Sequence, residues 1–311
     1  MSHEGDDQGE LFPEVERVLP RRRIARKRGT AHTEAREFGG WTLNKLELLR
    51  LYLKMYGRVA GSGTYIDGFA GTGSVNVDGR SSPGSARIAI RSGAFRDHWL
   101  FELDPSTFDL LSFNLRYFFS ARRRRHTIKG DFNTEIVTII ENGEIPIDKP
   151  CFAFLDPNST QLPWSTVERL ATFKLPAYSP PEICKTELWI LFNSHQAFAR
   201  LRHPNEPIDV YMASGAAAAL DRIMGGRDAW WDLFEAHLPI GAYAQRYADR
   251  LQDVLGYGFS HMQLINDPKT GAPQYYMIHA SDHEAAADFM RWSKKTSDPK
   301  FTSKVHLPGF T

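Results

Sequence analysis

The stretch from residue 64 to residue 74, TYIDGFAGTGS, constrains the fold of this 311-residue chain more than any other. It begins as a short apolar strand, ends that strand on Asp67 and then turns through Gly68, Gly71 and Gly73. Glycine accepts positive φ and lets the backbone approach a ligand closely. Open α/β sheets hold nucleotide-like cofactors on such turns, at the carboxyl ends of their strands. The stretch therefore predicts an α/β sheet with a cofactor site at this turn.

The rest of the chain alternates strand and helix patterns, which favours a parallel sheet built of right-handed crossovers. Four further apolar strands are predicted at residues 99–102, 127–131, 152–156 and 187–192. A mostly helical insertion is expected at about 206–256, followed by two alternating segments at 259–265 and 274–280 that predict an antiparallel edge hairpin. We therefore expect a Rossmann-like, mostly parallel sheet of seven strands.

Local signals predict the elements on either side of the glycine turn. Residues 41–56 have leucines at three- and four-residue spacing, which predicts an amphipathic helix that is ended by Gly57 and the Gly61-Ser62-Gly63 run. Residues 74–81 are expected to form a loop. Ser82 and Pro83 are expected to cap and start the next helix.

Charge is unevenly distributed although the formal net charge is only +1. Acidic residues dominate positions 1–16 and arginines dominate positions 17–28, without apolar periodicity. Residues 1–38 therefore predict a largely disordered charged tail. The α/β domain is expected at 39–296 and a short C-terminal tail at 297–311.

Cysteine content and hydropathy favour a cytoplasmic protein. The two cysteines, Cys151 and Cys184, cannot form a disulfide framework and lack the spacing of a metal site. No apolar run approaches the roughly 18 residues of a membrane span, and the N-terminus lacks the apolar core of a secretory signal. No membrane association is expected. His195 and His203 lack a third ligand, so no metal site is expected.

Four predicted strands end in acids, namely Asp67, Glu102, Asp131 and Asp156. Carboxylates gathered at one sheet edge are costly unless cations or hydrogen-bond donors meet them. S-adenosylmethionine offers a positive centre, an amino group and a ribose diol. We expect Asp67 and the turn to face its methionine part, Glu102 the ribose, and Asp131 with Phe132 the adenine. The candidate cofactor residues are Asp67, Gly68, Phe69, Ala70, Gly71, Thr72, Gly73, Glu102, Asp131 and Phe132.

Two alternatives to this cofactor site stay open. Acids at strand ends often only start turns or cap helices, and Phe69 and Phe132 could be core residues. A nicotinamide dehydrogenase would use G-x-G-x-x-G, whereas this turn reads G-x-x-G-x-G. Glu102 also lies further downstream than the roughly 20 residues of that fingerprint.

Asp156, Pro157 and Asn158 are the candidate catalytic residues. Methyl transfer to an exocyclic amine needs acceptors that hold its hydrogens and direct its lone pair at the methyl carbon. Asp156, the Pro157 carbonyl and Asn158 could supply them, and proximity would provide most of the rate gain. The alternative is a plain β-turn, for which Asp-Pro-Asn-Ser is favourable composition.

Several motifs together resemble the three-Cys-motif partner protein (TcmP) family over about residues 41–295. They are YIDGFAGTG with SPGS, FELD, GDFN, FLDP and the late YYMIHAS. The resemblance implies a class I, S-adenosylmethionine-dependent methyltransferase-like fold. It also implies a partner, a separate radical-SAM-like protein that carries the three cysteines.

The motif order more distantly resembles nucleic-acid amino-methyltransferases, which carry Asp-Pro-Pro-Tyr at the fourth strand. This chain departs from that pattern at Asn158 and Ser159 and so lacks the aromatic platform for a flipped base. Trp164 could substitute for it or simply pack.

The sequence thus favours a methyltransferase that acts on an amino nitrogen, with nucleic acid as the expected substrate. RNA or DNA would be contacted by the arginines between Arg21 and Arg28, by Arg122 to Arg125, and by Arg200 and Arg202. The alternatives are a non-catalytic or regulatory partner of a three-Cys-motif protein, or a plain nucleic-acid-binding protein.

Overall fold

The computed structural model describes residues 40–77, 79–116, 124–158, 160–180, 182–192, 207–266, 271 and 273–297. All of these belong to one compact unit, Arg36–Thr311. No helix within these ranges combines the length and the hydropathy that crossing a bilayer requires.

Seven of the nine described strands form one sheet in the order β5-β4-β1-β6-β7-β9-β8. The strands are β1 Gly63–Asp67, β2 Ser74–Val77, β3 Arg80–Pro83, β4 Phe95–Glu102, β5 Arg124–Lys129, β6 Cys151–Leu155, β7 Glu187–Phe192, β8 Phe259–Asn266 and β9 Pro273–Ser281. Strands β5, β4, β1, β6 and β7 pair in parallel, whereas β9 runs antiparallel to both β7 and β8. The predicted fold class, a mostly parallel Rossmann-like sheet with an antiparallel edge hairpin, is confirmed.

Helices cover both faces of the sheet. They are α1 Gly40–Val59, α2 Ser85–Ser92, α3 Pro105–Leu115, α4 Phe132–Glu141, α5 Trp164–Thr172, α6 Ile208–Ala213, α7 Gly215–Met224, α8 Trp231–Glu235, α9 Ile240–Asp253 and α10 Ala285–Ser297. One apolar core contains buried residues of α4, α5 and α6 to α9, and the other contains those of α1, α2, α3 and α10. Strand β6 is buried throughout because its side chains alternate between these two cores.

The segment after the glycine turn differs from the prediction. Residues 74–81 were expected as a loop, but they contribute most of an antiparallel hairpin, β2–β3, whose turn contains Gly79 at φ 71°. Ser82 and Pro83 belong to β3, so the predicted helix start there is wrong. Gly84 N–H donates to the Gly73 carbonyl at 3.0 Å, and α2 begins immediately afterwards. The hairpin therefore returns the chain to the glycine turn before the helix starts.

Helix α1 runs past Gly57 to Val59 and ends before the Gly61-Ser62-Gly63 run, so Gly57 was wrongly predicted to end it. A Cβ at this position would lie 2.8 Å from the Ala94 Cβ. Glycine is needed there for close packing against the start of β4, and a glycine used for packing does not end a helix.

Candidate functional site

The parallel strands bring the predicted acids to one edge of the sheet, at their carboxyl ends. Asp67 and Glu102 are the last residues of β1 and β4, and Asp156 directly follows β6. Asp131 lies two residues beyond β5, where it caps α4. We call Asp67, Gly71, Glu102, Asp131 and Asp156 the strand-end site.

The three glycines of the turn have different structural roles. Gly68 lies against the Phe132 ring, which would be 2.9 Å from an added Cβ. Gly73, at φ 71°, lies against the Leu111 side chain. Gly71, at φ 58°, has no heavy atom within 4 Å of where a Cβ would lie. Its backbone is therefore open to the approach of a ligand.

The remaining turn residues hold this loop in place. Ala70 is buried, and its N–H donates to the Phe101 carbonyl at 2.9 Å. The Thr72 hydroxyl donates to the Ser74 carbonyl at 2.7 Å, and Asn114 Nδ2 donates to the Thr72 carbonyl at 2.8 Å. The turn is thus tied both to β4 and to α3.

Glu102 is tied to the glycine turn by backbone hydrogen bonds. Its Oε2 accepts from Gly71 N–H at 3.0 Å, and its Oε1 accepts from Asp104 N–H at 2.9 Å. A carboxylate has about four acceptor positions, so each oxygen keeps capacity for a hydroxyl. Burial raises the pKa of Glu102, partly offset by these N–H donors. The group is half-buried and oriented, as a carboxylate that receives a diol needs to be.

Asp131 and Phe132 lie at the start of α4 in different environments. Asp131 is exposed, and its Oδ1 accepts from Asn133 N–H and Asn133 Nδ2, each at 3.0 Å. Phe132 is only 2% exposed and packs against the rings of Phe69 and Phe101. The Phe132 ring packs against Gly68 of the turn. This burial favours the alternative that Phe132 is a core residue over the alternative that it stacks on adenine. Phe69 is half-buried on the same cluster.

Asp67 was expected to face the cofactor but is fully buried. Its Oδ2 accepts from the Tyr65 hydroxyl at 3.3 Å, whereas Oδ1 has no hydrogen-bond partner among the described residues. Burial, together with the smaller effect of the nearby Asp156 charge, raises the pKa of Asp67 to about 7 against the lowering effect of the Ser85 side chain. The Asp67 carboxyl is therefore the buried member of the strand-end site and titrates near neutrality.

Asp156 forms an ion pair that the sequence did not reveal. Its Oδ2 accepts from Lys45 Nζ of α1, and the Lys45 side chain is 6% exposed against 27% for Asp156. The lysine lies on the apolar stripe of α1 with the buried Leu48, Leu49 and Tyr52, three, four and seven residues later. A lysine on a buried stripe indicates a charged partner, and this signal was available in the sequence. Lys45 fixes Oδ2 of Asp156, whose side chain stays partly exposed.

Pro157 and Asn158 follow Asp156 outside the helices and strands. Pro157 is buried, and Asn158 is exposed with its N–H donating to Gln161 Oε1 at 2.9 Å. Ser159 lies outside the described residues. Trp164 is 5% exposed and packs edge-on against Tyr247 beneath the Arg250 guanidinium. It occupies the core and offers no stacking platform.

The basic segments are only partly within the described residues. Arg124 and Arg125 start β5, on the edge of the sheet opposite the strand-end site. Arg124 is bound to Asp97 through two hydrogen bonds of 2.5 and 3.0 Å. The other predicted contacts lie outside the described residues, namely Arg21 to Arg28, Arg122, Arg123, Arg200 and Arg202, as do His195 and His203.

No protein-family model and no curated protein matches the sequence. Among solved structures, a Legionella pneumophila protein of the DUF519 family model is similar at 10% identity and a TM-score of 0.50, over 85% of this chain and 93% of that one. This likeness shows a shared fold.

Two further solved structures are similar at lower scores. M. jannaschii TYW2 in complex with AdoMet is 10% identical, over 78% of this chain and 76% of that one, at a TM-score of 0.37. A Bacillus cereus O-methyltransferase in complex with SAH is 12% identical, over 76% of this chain and 80% of that one, at a TM-score of 0.39. These scores are too low to add to the description of the fold.

Proposed function

We propose that this chain is an S-adenosylmethionine-dependent methyltransferase that acts on an amino nitrogen, with nucleic acid as its substrate class. One observation carries the proposal: the open backbone of Gly71 is hydrogen-bonded to Glu102, at the edge where Asp131 and Asp156 also lie. A close backbone approach beside an oriented carboxylate is what a nucleoside with a ribose diol requires.

The residues of the strand-end site fit the proposed cofactor. Gly71 would lie against its methionine part, and Glu102 would accept hydrogen bonds from its ribose hydroxyls. Asp131, with Oδ1 used at the helix cap, would offer Oδ2 to the adenine amino group. Asp67 would act on the cofactor without contacting it, because its buried carboxylate in the ionised form would attract the positive charge of the cofactor.

Bound S-adenosylmethionine would supply a methyl group that its sulfonium already activates. The task left to the protein is to hold the amine and to orient its lone pair. One oxygen of Asp156 would accept a hydrogen bond from the amine while Lys45 holds the other oxygen. The Pro157 carbonyl and Asn158 would be the remaining acceptors for the amine. Their roles are proposed from the Asp-Pro-Asn-Ser sequence.

The nucleic-acid substrate rests on the resemblance of the motif order to nucleic-acid amino-methyltransferases and on the arginine-rich segments. We infer the TcmP family from the same motifs and, with it, a three-Cys-motif protein as partner. The arginines would contact phosphates in a salt-dependent manner.

Transfer of labelled methyl from S-adenosylmethionine to total RNA or DNA tests the proposed reaction. We expect incorporation by the wild type and its loss in Asp156→Ala. Asp109→Ala, an exposed change on α3, serves as the control and should retain wild-type incorporation. A folded wild type that transfers no methyl to either nucleic acid, with or without the three-Cys-motif partner, would refute the reaction.

A second candidate function is a non-catalytic or regulatory partner of a three-Cys-motif protein. The observation that favours it concerns Asn158, which is exposed and donates its N–H to Gln161. The nucleic-acid amino-methyltransferases that the motif order resembles carry a proline at this position, followed by an aromatic residue. This candidate predicts cofactor binding without methyl transfer, or a complex that forms without cofactor. Methyl incorporation that depends on Asp156 would exclude it.

A further inference from the structure

A cavity of about 160 Å³ lies at the edge of the sheet opposite the glycine turn. Its lining includes Cys151 and Glu187, the first residues of β6 and β7, and Ser281, the last residue of the antiparallel β9. These positions are at the amino ends of the parallel strands, so we call it the strand-start cavity. It is separate from the strand-end site and does not depend on the proposed function. A cavity of roughly 150 Å³ accepts a molecule the size of benzene.

Aromatic rings form the deep walls of the strand-start cavity. Tyr52 and Tyr56 reach it from α1 and Phe289 from α10, and each is at most 7% exposed. Burial, and next the Glu187 charge, raise the pKa of both tyrosines well above the usual range, so their hydroxyls stay neutral. Neutral aromatic rings attract cations through their faces.

Glu187 places a negative charge in this aromatic wall. Its Oε1 accepts from His279 Nε2 at 2.9 Å and its Oε2 from the Ser281 hydroxyl at 3.1 Å. The Tyr52 hydroxyl is a third hydrogen-bond partner of this carboxylate, which has about four acceptor positions and therefore keeps capacity for one further donor. The residue is 6% exposed and lines the cavity, so the remaining acceptor capacity is directed at a solvent-poor space.

Lys185 is the one lysine among the described lining residues, and it does not neutralise Glu187. Lys185 Nζ donates to the Gly256 carbonyl at 2.8 Å and lies 3.3 Å from Asp282 Oδ1. Its charge is thus compensated by Asp282. Glu182, which is exposed and also lines the cavity, adds a second negative charge. The lining therefore favours a positively charged occupant.

We propose that the strand-start cavity binds a small organic cation, a protonated amine on an aromatic or short alkyl frame. Its ammonium would donate to Glu187, and its hydrocarbon part would pack against Tyr52, Tyr56 and Phe289. The volume limits this ligand to about the size of a benzylamine.

Calorimetric titration of the full chain with three probes of one size tests this site: benzylammonium, the neutral benzyl alcohol and the anionic benzoate. We expect saturable binding of benzylammonium, roughly tenfold weaker binding of benzyl alcohol, and none of benzoate. Glu187→Gln should weaken benzylammonium roughly tenfold and leave benzyl alcohol unchanged. Val59→Trp, at a lining position that is 38% exposed, should block all binding.

Two control variants locate the bound probe. Glu168→Gln, at an exposed position of α5, and Asp109→Asn, at an exposed position of α3, should both bind benzylammonium like the wild type. The proposal is overturned if the folded wild type does not bind benzylammonium saturably, or if it binds benzoate equally well. Binding that survives in Val59→Trp, or that is lost in folded Glu168→Gln or Asp109→Asn, also overturns it, even if Glu187→Gln fails to fold.

Discussion

Asp67 and Lys45 are the buried charged residues on which the strand-end site depends. Burial of a carboxylate with an unsatisfied oxygen costs stability. Burial of a lysine is tolerated only with a charged partner, which Asp156 supplies. Residues that lower stability and lie beside a ligand site are candidates for a functional role, and each gives a testable consequence.

Replacing Asp67 by asparagine should stabilise the protein at high pH. The pKa of this carboxyl is about 7 in the folded protein and near 3.9 in the unfolded chain, so the folded state binds the extra proton between these values. Wild-type stability therefore falls as pH rises from about 4 to about 7, and Asp67→Asn lacks this loss. The advantage of Asp67→Asn should be roughly 1 to 3 kcal/mol larger at pH 8 than at pH 5.

Urea unfolding of both proteins at several pH values measures this difference. Asp109→Asn, an exposed change on α3, is the control and should show no such trend. An advantage of Asp67→Asn that is equal at both pH values would contradict the assigned burial of the charge.

Lys45 and Asp156 should be coupled in a double-mutant cycle. Lys45→Met leaves Asp156 without its cation, and Asp156→Asn leaves the buried lysine uncompensated. The free energies of unfolding should therefore be non-additive by about 1 to 3 kcal/mol. Lys45→Arg keeps the charge and should lose less stability than Lys45→Met. Additivity within roughly 0.3 kcal/mol would show that the two groups do not interact.

Sequence patterns predicted the positions of the strand-end acids but not their environments. Glu102 and Asp156 could be placed because apolar runs locate the ends of strands. The pairing of Lys45 could not, since its partner lies 111 residues away. The burial of Asp67 depends on how Tyr65 and the start of α2 pack over it, which no local pattern encodes.

At the scale of elements, buried strands were the most predictable. Strand β7 matches its predicted range because a strand covered on both faces reads as an apolar run. The hairpin β2–β3 was missed because most of its residues are polar. The sequence pair Asp78-Gly79 is typical of a hairpin turn, so a signal for the hairpin was present in the sequence although the polar composition outweighed it.

Helix α1 gives an element-scale prediction through Gly57. Alanine normally stabilises a helix interior relative to glycine by about 1 kcal/mol. At Gly57 the added Cβ would lie 2.8 Å from the Ala94 Cβ, so we expect Gly57→Ala to destabilise by about 1 to 3 kcal/mol instead. Gly215→Ala, in α7 with no atom near the added Cβ, should be neutral or slightly stabilising in the same thermal unfolding measurement. Equal effects of the two changes would contradict the packing of α1 against Ala94.

At the scale of the whole molecule, one sheet presents two chemically different edges. The glycine turn and the strand-end acids lie where the parallel strands end, and the strand-start cavity lies where they begin. Helix α1 reaches both, with Lys45 near its start and Tyr56 near its end. The mostly parallel sheet could be expected from alternating strands and helices, whereas the cavity could not, because the described residues that line it come from four separate chain segments.

Isothermal titration of the full chain with S-adenosylmethionine tests the central claim most directly. We predict saturable binding with one site per chain. Glu102→Ala should weaken it about tenfold or more, because two hydrogen bonds from the ribose to a carboxylate are lost. Asp109→Ala, exposed on the neighbouring helix, should bind like the wild type. A folded wild type that gives no saturable binding, or a Glu102→Ala variant with wild-type affinity, would contradict the assignment of the strand-end site.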